Sequence, residues 1–305
     1  MRALLTGASG FIGKNLKKHL ECMGIQVFTL SSTLPQSDKN FFLDSIASYD
    51  CIVNCLKETE PNYLFHLAGN QINLDQNRSD FLNYQYFKNI INSLIDINMF
   101  DLNILAVGSA AEYGLVADNF LPVSEEYIES PISSYGISKL KQTNFAIRNA
   151  PLFKNIVVVR PFNIIGYGAP AYLPLGNFLN QLSLAIKNTQ KNIKMGGINF
   201  FRDYIDVDDL VSIFWELCNN SEAHGKKINV CTSTLLNLEE IIKKISQPYD
   251  VNLDIERVNP KYKNFVKKFY GCNKQLLRIL PNTNFKKLDD SISDIQASLE
   301  DYACK

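Results

Sequence analysis

The stretch that most constrains how this chain folds is its first fourteen residues. MRALLTGASGFIGK places a short apolar strand, Ala3 to Leu5, directly before Gly7-x-x-Gly10-x-x-Gly13 and then opens into a helix. Gly7 suits a tight turn out of the strand, Gly10 lets the main chain approach a pyrophosphate, and Gly13 lets the helix lie close to the strand. Free N–H groups and the positive end of the helix dipole then face an anion, so Ser9, Phe11 and Ile12 join the three glycines as candidate contacts to a nucleotide diphosphate. Three glycines at this spacing also occur in ordinary turns, and the context decides between the two. Ile12, Leu16, Leu20 and Met23 follow at helical spacing, Gly24 closes the helix, and Ile25 to Leu30 reads as a second strand, which together make a βαβ start.

The same alternation continues along the chain. Asn62 to Leu67 reads as a strand that gives way to a loop at Leu67-Ala68-Gly69, on the carboxyl edge where open α/β sheets bind ligands. His66, inside that apolar strand, reads as a hydrogen-bonded core residue. Phe81 to Phe100 carries a helical pattern, Asn103 to Val107 is a strand ending at Gly108-Ser109, and Ile156 to Val159 is a buried strand ended by Arg160-Pro161. Strands alternating with helices imply an α/β fold with a Rossmann-type, doubly wound parallel sheet. After residue 164 the pattern loosens around Gly166, Gly168, Pro170, Pro174 and Gly176. We therefore expect a dinucleotide-binding domain over 1–165, to which part of 200–232 returns, and a smaller α/β substrate-binding region over 166–305. Within the latter, Phe178 to Ile186 and Leu235 to Ile245 read as helices, and Asp206 and Asp209 as the cap and acidic first turn of another.

Composition excludes several function classes. The chain has 305 residues, 46% of them apolar, enough for a substantial core. Lys plus Arg and Asp plus Glu both number 31, so no net field draws it to nucleic acid or an acidic membrane. Seven scattered cysteines without a C-x-x-C pair suggest neither a disulfide framework nor a metal site, and read as reduced thiols. No apolar run reaches membrane-spanning length, and the expectation is a cytoplasmic protein.

Tyr135-Gly136-Ile137-Ser138-Lys139 follows Pro131 and a Ser-rich cap, which places it in the first turns of a helix. Positions i and i+4 share a helix face, so the Lys139 ammonium is expected near the Tyr135 phenol, lowering its pKa. Such a phenol can pass a proton to or from a sugar or alcohol oxygen, and Ser109 at the preceding strand end can hydrogen-bond the same oxygen. A solvated Tyr–Lys pair is the bland alternative for this motif alone.

Taken in order, the glycine loop, Gly108-Ser109-Ala110-Ala111-Glu112-Tyr113-Gly114, Tyr135 with Lys139, Arg160 through Gly166, and Phe201-Arg202-Asp203-Tyr204 through Asp209 resemble the extended short-chain dehydrogenase/reductases that act on nucleotide sugars. The likeness covers nearly the whole chain. It implies that Ser109, Tyr135 and Lys139 are the catalytic set and that Asp44, with Ser45, lies at the adenine. It further implies that Tyr135, Lys139 and Pro161 also touch the cofactor, that Ser109, Ala110, Ala111, Tyr135, Asn163 and Arg202 meet the substrate, and that helices 81–100 and 135–149 pair in a homodimer. A guanidinium such as that of Arg202 is the right donor for a diphosphate.

Within that family, 4,6-dehydratases carry a Glu two residues before the motif tyrosine and GDP-fucose synthases a catalytic Cys there. This chain has Ala111, preceded by Ala110, which leaves chemistry at C4 alone: a 4-ketoreductase or an NAD-retaining 4-epimerase. Members that retain NAD usually end the second strand with an acid, whereas Ser31-Ser32-Thr33 stands here. Losing the acid removes repulsion toward a 2′-phosphate, so NADPH is the preferred cofactor, with NADH or NAD possible. The likeness is greatest to reductases of GDP-4-keto-6-deoxymannose, with departures at Ala110-Ala111 and at Tyr262-Lys263-Asn264, where an Arg-Pro commonly meets the nucleotide. A cofactor-binding redox sensor without turnover is the alternative of a different class.

Overall fold

The computed structural model describes residues 1–45, 48–69, 74–187, 191–256 and 266–303. Its centre is a parallel sheet of seven strands, six of which we label β1 (Arg2–Thr6), β2 (Gln26–Ser31), β3 (Asn40–Phe42), β4 (Tyr63–His66), β5 (Asn103–Val107) and β6 (Asn155–Pro161). Across the sheet they run β3, β2, β1, β4, β5, β6, and the strand Lys227–Val230 closes the far edge beside β6. The order reverses between β1 and β4, which opens a crevice above their carboxyl ends. The loops after β1 and β4, holding Gly7 and Leu67-Ala68-Gly69, flank that crevice.

Alternation along each strand explains why both faces are covered. Ala3 and Leu5 point into one apolar layer with Leu105, Val107, Val157 and Val159. Leu4 points into the other with Ile104, Ala106, Ile156 and Val158. Helix α1 (Phe11–Cys22) fills the first layer with Leu16 and Leu20, alongside Leu210, Phe214 and Leu217 of the helix Val207–Asn219. The second layer takes α2 (Tyr49–Thr59), α4 (Tyr86–Asp96) and α5 (Ser134–Asn149), the last contributing Ala146. A third apolar cluster joins the helices Pro174–Lys187, Leu238–Ser246 and Leu288–Ala303 through Phe178, Leu182, Ile241, Ile245, Ile295 and Leu299.

Several element boundaries differ from the sequence reading for local reasons. The helix expected over 81–100 begins earlier, as α3 (Gln76–Ser79), because the Asp75 carboxylate accepts the Arg78 N–H at 2.9 Å. It then passes through a π-helical turn, Asp80–Gln85, before α4. The helix expected from Leu235 starts at Leu238, since the Asn237 side chain caps the Glu239 N–H at 2.8 Å. Asp206 caps its helix as expected, accepting the Asp208 N–H at 2.9 Å, while Asp209 takes the Lys286 N–H at 2.7 Å.

Candidate active site

The glycine loop is built as a cradle. Gly7 has φ +71°, and a Cβ there would lie 2.7 Å from the Ala68 nitrogen; a Cβ on Gly13 would lie 2.2 Å from the Gly7 oxygen. Side chains are thus excluded from both positions by neighbouring backbone. Gly10 caps α1 with no side-chain hydrogen bond, and no acid stands in the first turn. The N-terminal N–H groups of α1 are left for an external anion, which fits the pyrophosphate of a dinucleotide.

At the far end of this crevice, β2 terminates in a hydroxyl cluster. Ser31 Oγ accepts the N–H groups of Thr33 and Leu34 at 3.1 and 3.2 Å, and Thr33 Oγ1 lies 2.9 Å from Ser9 Oγ. Ser32 is exposed beside it. Asp44 and Ser45 follow β3, which pairs with β2, and Leu43 N–H donates to the Ser31 carbonyl at 2.9 Å. Asp44 therefore stands two residues beyond Phe42, the partner of Ser31 at the β2 terminus, and is exposed.

The other end of the crevice is a cavity that gathers most of the candidate residues. Gly7, Gly10, Phe11, Ile12 and Gly13 line one side, Leu67 and Gly69 the next, and Ser109, Tyr135, Lys139, Pro161 and Asn163 the remainder. Phe162, Tyr172 and Tyr204 also line it. Ala68 is tied to β1 instead, its N–H donating to Thr6 Oγ1 at 3.2 Å.

Ser133 caps α5 by accepting the Gly136 N–H at 3.0 Å, which sets Tyr135 and Lys139 on one face of the first turns. Lys139 is buried, and its ammonium donates to the Val107 carbonyl at 2.8 Å and to Gln142 Oε1 at 3.0 Å. Burial lowers that ammonium to about 8, while the Glu112 carboxylate works to raise it. Tyr135 and Ser109 line the same cavity. Burial pushes the Tyr135 phenol up to about 12; the Ser109 side chain opposes this, and Glu112 and Tyr172 add to it. The phenol is thus raised, not lowered as expected from Lys139, and it keeps its proton at neutral pH.

Asn163 donates through Nδ2 to the Asp203 carbonyl at 3.1 Å. Ala110 and Ala111 form a 3-10 turn, and Ala110 packs with Tyr113, Val123 and Phe162 rather than lining the cavity. Arg202 also lies off the cavity lining, its guanidinium donating to the carbonyls of Phe201 and Val266, both at 2.8 Å, and lying 4.5 Å from the Phe200 ring centroid. Tyr262, Lys263 and Asn264 are outside the described residues. His66 takes the expected core role, its Nδ1 2.9 Å from Thr6 Oγ1.

Sequence reasoning missed Asn83. It is buried on the π-helical turn, donates to Ser138 Oγ at 2.9 Å, and faces Lys139 across Gly69, where a Cβ would lie 2.9 Å from Asn83 Oδ1 and 3.0 Å from Lys139 Nζ. Its signal was an amide three and four residues before Tyr86 and Phe87, on the apolar face of the helix. Among the described residues, no group of three or more His, Cys, Asp or Glu is placed to hold a metal ion.

Comparison with known proteins places this geometry. The GDP-6-deoxy-D-talose 4-dehydrogenase of Aggregatibacter actinomycetemcomitans is 29% identical over 257 residues, covering 81% of this chain and 80% of that protein. The GDP-6-deoxy-D-mannose reductase of Pseudomonas aeruginosa is 28% identical over 260 residues, covering 83% and 82%. In fold, the chain is similar to RMD from Pseudomonas aeruginosa complexed with NADPH, with a TM-score of 0.83 at 24% identity over 98% of this chain and 99% of that one. The Thermotoga maritima UDP-glucose 4-epimerase, solved with UDP-glucose, has the same TM-score of 0.83 at 19% identity and full coverage of both chains, 100% each. A model of the NAD dependent epimerase/dehydratase family matches residues 3–231, from the first strand of the sheet to just past its last, and the chain belongs to that family.

Proposed function

We propose that this protein reduces the C4 ketone of a nucleotide-linked 4-keto-6-deoxyhexose, using NADPH. One observation carries the reading: Ser109, Tyr135 and Lys139 line the same cavity as the glycine cradle of Gly7, Gly10 and Gly13. The activities named for the two sequence relatives support the substrate class.

Gly7, Gly10, Gly13 and the β2 terminus would hold a nicotinamide cofactor, which would supply hydride chemistry at the ketone carbon. Ser109 donates a hydrogen bond to the ketone oxygen, and Tyr135 delivers its proton there as negative charge develops. Lys139, fixed by the Val107 carbonyl and Gln142, keeps a positive charge behind the phenol. With Ala110 and Ala111 beside Ser109, no side chain at those positions can move protons at neighbouring carbons. Asn163, on the cavity lining, is assigned to the sugar; Arg202 lies off that lining and meets the diphosphate only if its guanidinium leaves the Phe201 and Val266 carbonyls.

The absence of a carboxylate at Ser31, and the hydroxyls of Ser9 and Thr33 next to it, support NADPH over NADH. A homodimer through 81–100 and 135–149 is supported by Phe81, 45% exposed on the π-helical turn before α4, near the Tyr84–Phe145 ring pair. The six cysteines among the described residues are all free, which suits a cytoplasmic setting. Among the described residues no helix is long and apolar enough to cross a membrane.

The test is incubation of purified protein with GDP-, UDP- and dTDP-linked 4-keto-6-deoxyhexoses and NADPH. The reading expects cofactor oxidation matched by a 6-deoxyhexose product. Retained NAD⁺ with cofactor-free interconversion of C4 epimers would make it a 4-epimerase instead. Tight cofactor binding with no turnover on any sugar would make it a non-catalytic binding protein.

A further inference from the structure

A charged group that the assigned mechanism does not use is buried directly behind Ser109. Glu112 and Arg160 are both fully buried. Glu112 Oε1 accepts the Ser109 N–H at 2.9 Å, while the Ser109 hydroxyl accepts the Ala111 N–H at 3.1 Å, a reciprocal cap on a turn of only four residues, Ala110–Tyr113. The same oxygen accepts the Thr143 hydroxyl at 3.0 Å, from α5 one turn beyond Lys139. The other carboxylate oxygen takes Arg160 Nε at 2.9 Å and Nη2 at 2.7 Å, from β6.

One carboxylate thus joins the end of β5, the helix carrying Tyr135 and Lys139, and β6. The space for it is reserved, since a Cβ on Gly108 would lie 2.5 Å from Glu112 Oε1. Arg160 is held in turn by Glu129 at 2.7 Å and lies 4.8 Å from the Tyr113 ring centroid. Lys227 pairs with the same Glu129 carboxylate. A buried ion pair is a weak source of stability, because apolar side chains of equal volume often do as well. Its hydrogen bonds are directional, however, and these converge on the backbone of the residue whose hydroxyl must meet the phenol.

We propose that Glu112 is a positioning residue, whose carboxylate fixes the Ser109 hydroxyl against the Tyr135 phenol and locks that pair to α5 and β6. The proposal rests on the reductase reading for the identity of the reaction.

A double-mutant cycle tests it. Glu112→Gln keeps the shape and removes the charge, and is expected to lower kcat about tenfold to a hundredfold with KM for NADPH nearly unchanged. In a Ser109→Ala background the same substitution is expected to leave kcat nearly as it was, because the hydroxyl it positions is gone. An equal fold-loss in both backgrounds, or an undiminished kcat in Glu112→Gln, overturns the proposal. Glu112→Gln leaves Arg160 beside a neutral partner, so Thr143→Val runs in parallel. It removes one donor to the same oxygen, uncovers no charge, and is expected to lower kcat only where Ser109 is present; equal loss in both backgrounds, or none, again overturns the proposal.

Wild-type turnover judges the reductase reading separately. Should no sugar turn over, the same cycles are read from the ring ¹³Cζ resonance of Tyr135 in NADPH-loaded protein. That resonance is expected to move on Glu112→Gln or Thr143→Val when Ser109 is present and to stay put when it is absent. Equal movement in both backgrounds overturns the proposal.

Discussion

Replacing Lys139 by Met should abolish turnover and leave a fold at least as stable at neutral pH. Burial lowers the Lys139 ammonium from the ordinary 10.5 to about 8. Holding the charged form in the folded state therefore costs about 3 kcal/mol, at about 1.36 kcal/mol for each tenfold change in proton affinity. Methionine is unbranched and of similar length, and removes that cost. The Val107 carbonyl keeps a donor, Gln142 Nε2 at 3.1 Å, so the substitution strands only Gln142 Oε1. One stranded acceptor costs about 1–3 kcal/mol, which leaves a net effect between none and a gain of about 2 kcal/mol.

The pH dependence separates this account from a simple packing effect. Below about pH 8 folded and unfolded chains both hold the Lys139 proton, and the cost is felt in full. Between about 8 and 10.5 the folded chain gives up its proton while the unfolded chain keeps it, so wild-type stability rises with pH across that window, and Lys139→Met lacks the rise. The assay is urea unfolding of both cofactor-free proteins at about pH 7 and about pH 10, with kcat measured alongside. A Lys139→Met protein less stable by more than about 2 kcal/mol, with the same gap at both pH values, would refute the reasoning.

Three further outcomes are expected. Tyr135→Phe should lower kcat by roughly 10²–10⁴-fold with cofactor affinity little changed, measured by steady-state kinetics and NADPH titration; near-normal turnover would remove the phenol from the mechanism. Ser31→Asp places a carboxylate at the β2 terminus and should weaken NADPH binding by about 1–4 kcal/mol while sparing NADH, read by titration with both cofactors. Gly13→Ala, whose Cβ would lie 2.2 Å from the Gly7 oxygen, should lower the unfolding temperature and weaken NADPH binding, read by calorimetry with and without cofactor.

The parts of the site that were legible in the sequence are those set by short-range geometry. Strand, turn and helix follow within fourteen residues, so Gly7, Gly10 and Gly13 could be placed by their spacing. Tyr135 and Lys139 share a helix face by period alone, and Ser109 sits at a strand end marked by Gly108. The parts that were not legible depend on distance in sequence or on irregular backbone. Glu112 and Arg160 are 48 residues apart and meet only because β5 and β6 are neighbours in the sheet. Asn83 reaches Ser138, beside Lys139, from a π-helical turn, which shifts side chains off the regular helical period. The Tyr135 phenol is raised where the helix-face argument expects it lowered, because burial, joined by the Glu112 charge, sets the direction, and neither is visible in a Y-x-x-x-K pattern.

The central claim, net hydride delivery from a nicotinamide to C4 with a proton from Tyr135, is tested most directly by isotope tracing. Wild-type protein is given a 4-keto-6-deoxyhexose nucleotide and NADPH carrying deuterium at the transferred position of the nicotinamide ring. The account predicts one deuterium at C4 of the product for each NADPH consumed and none elsewhere in the sugar. A product that carries no deuterium at C4, formed without net loss of NADPH, would contradict it.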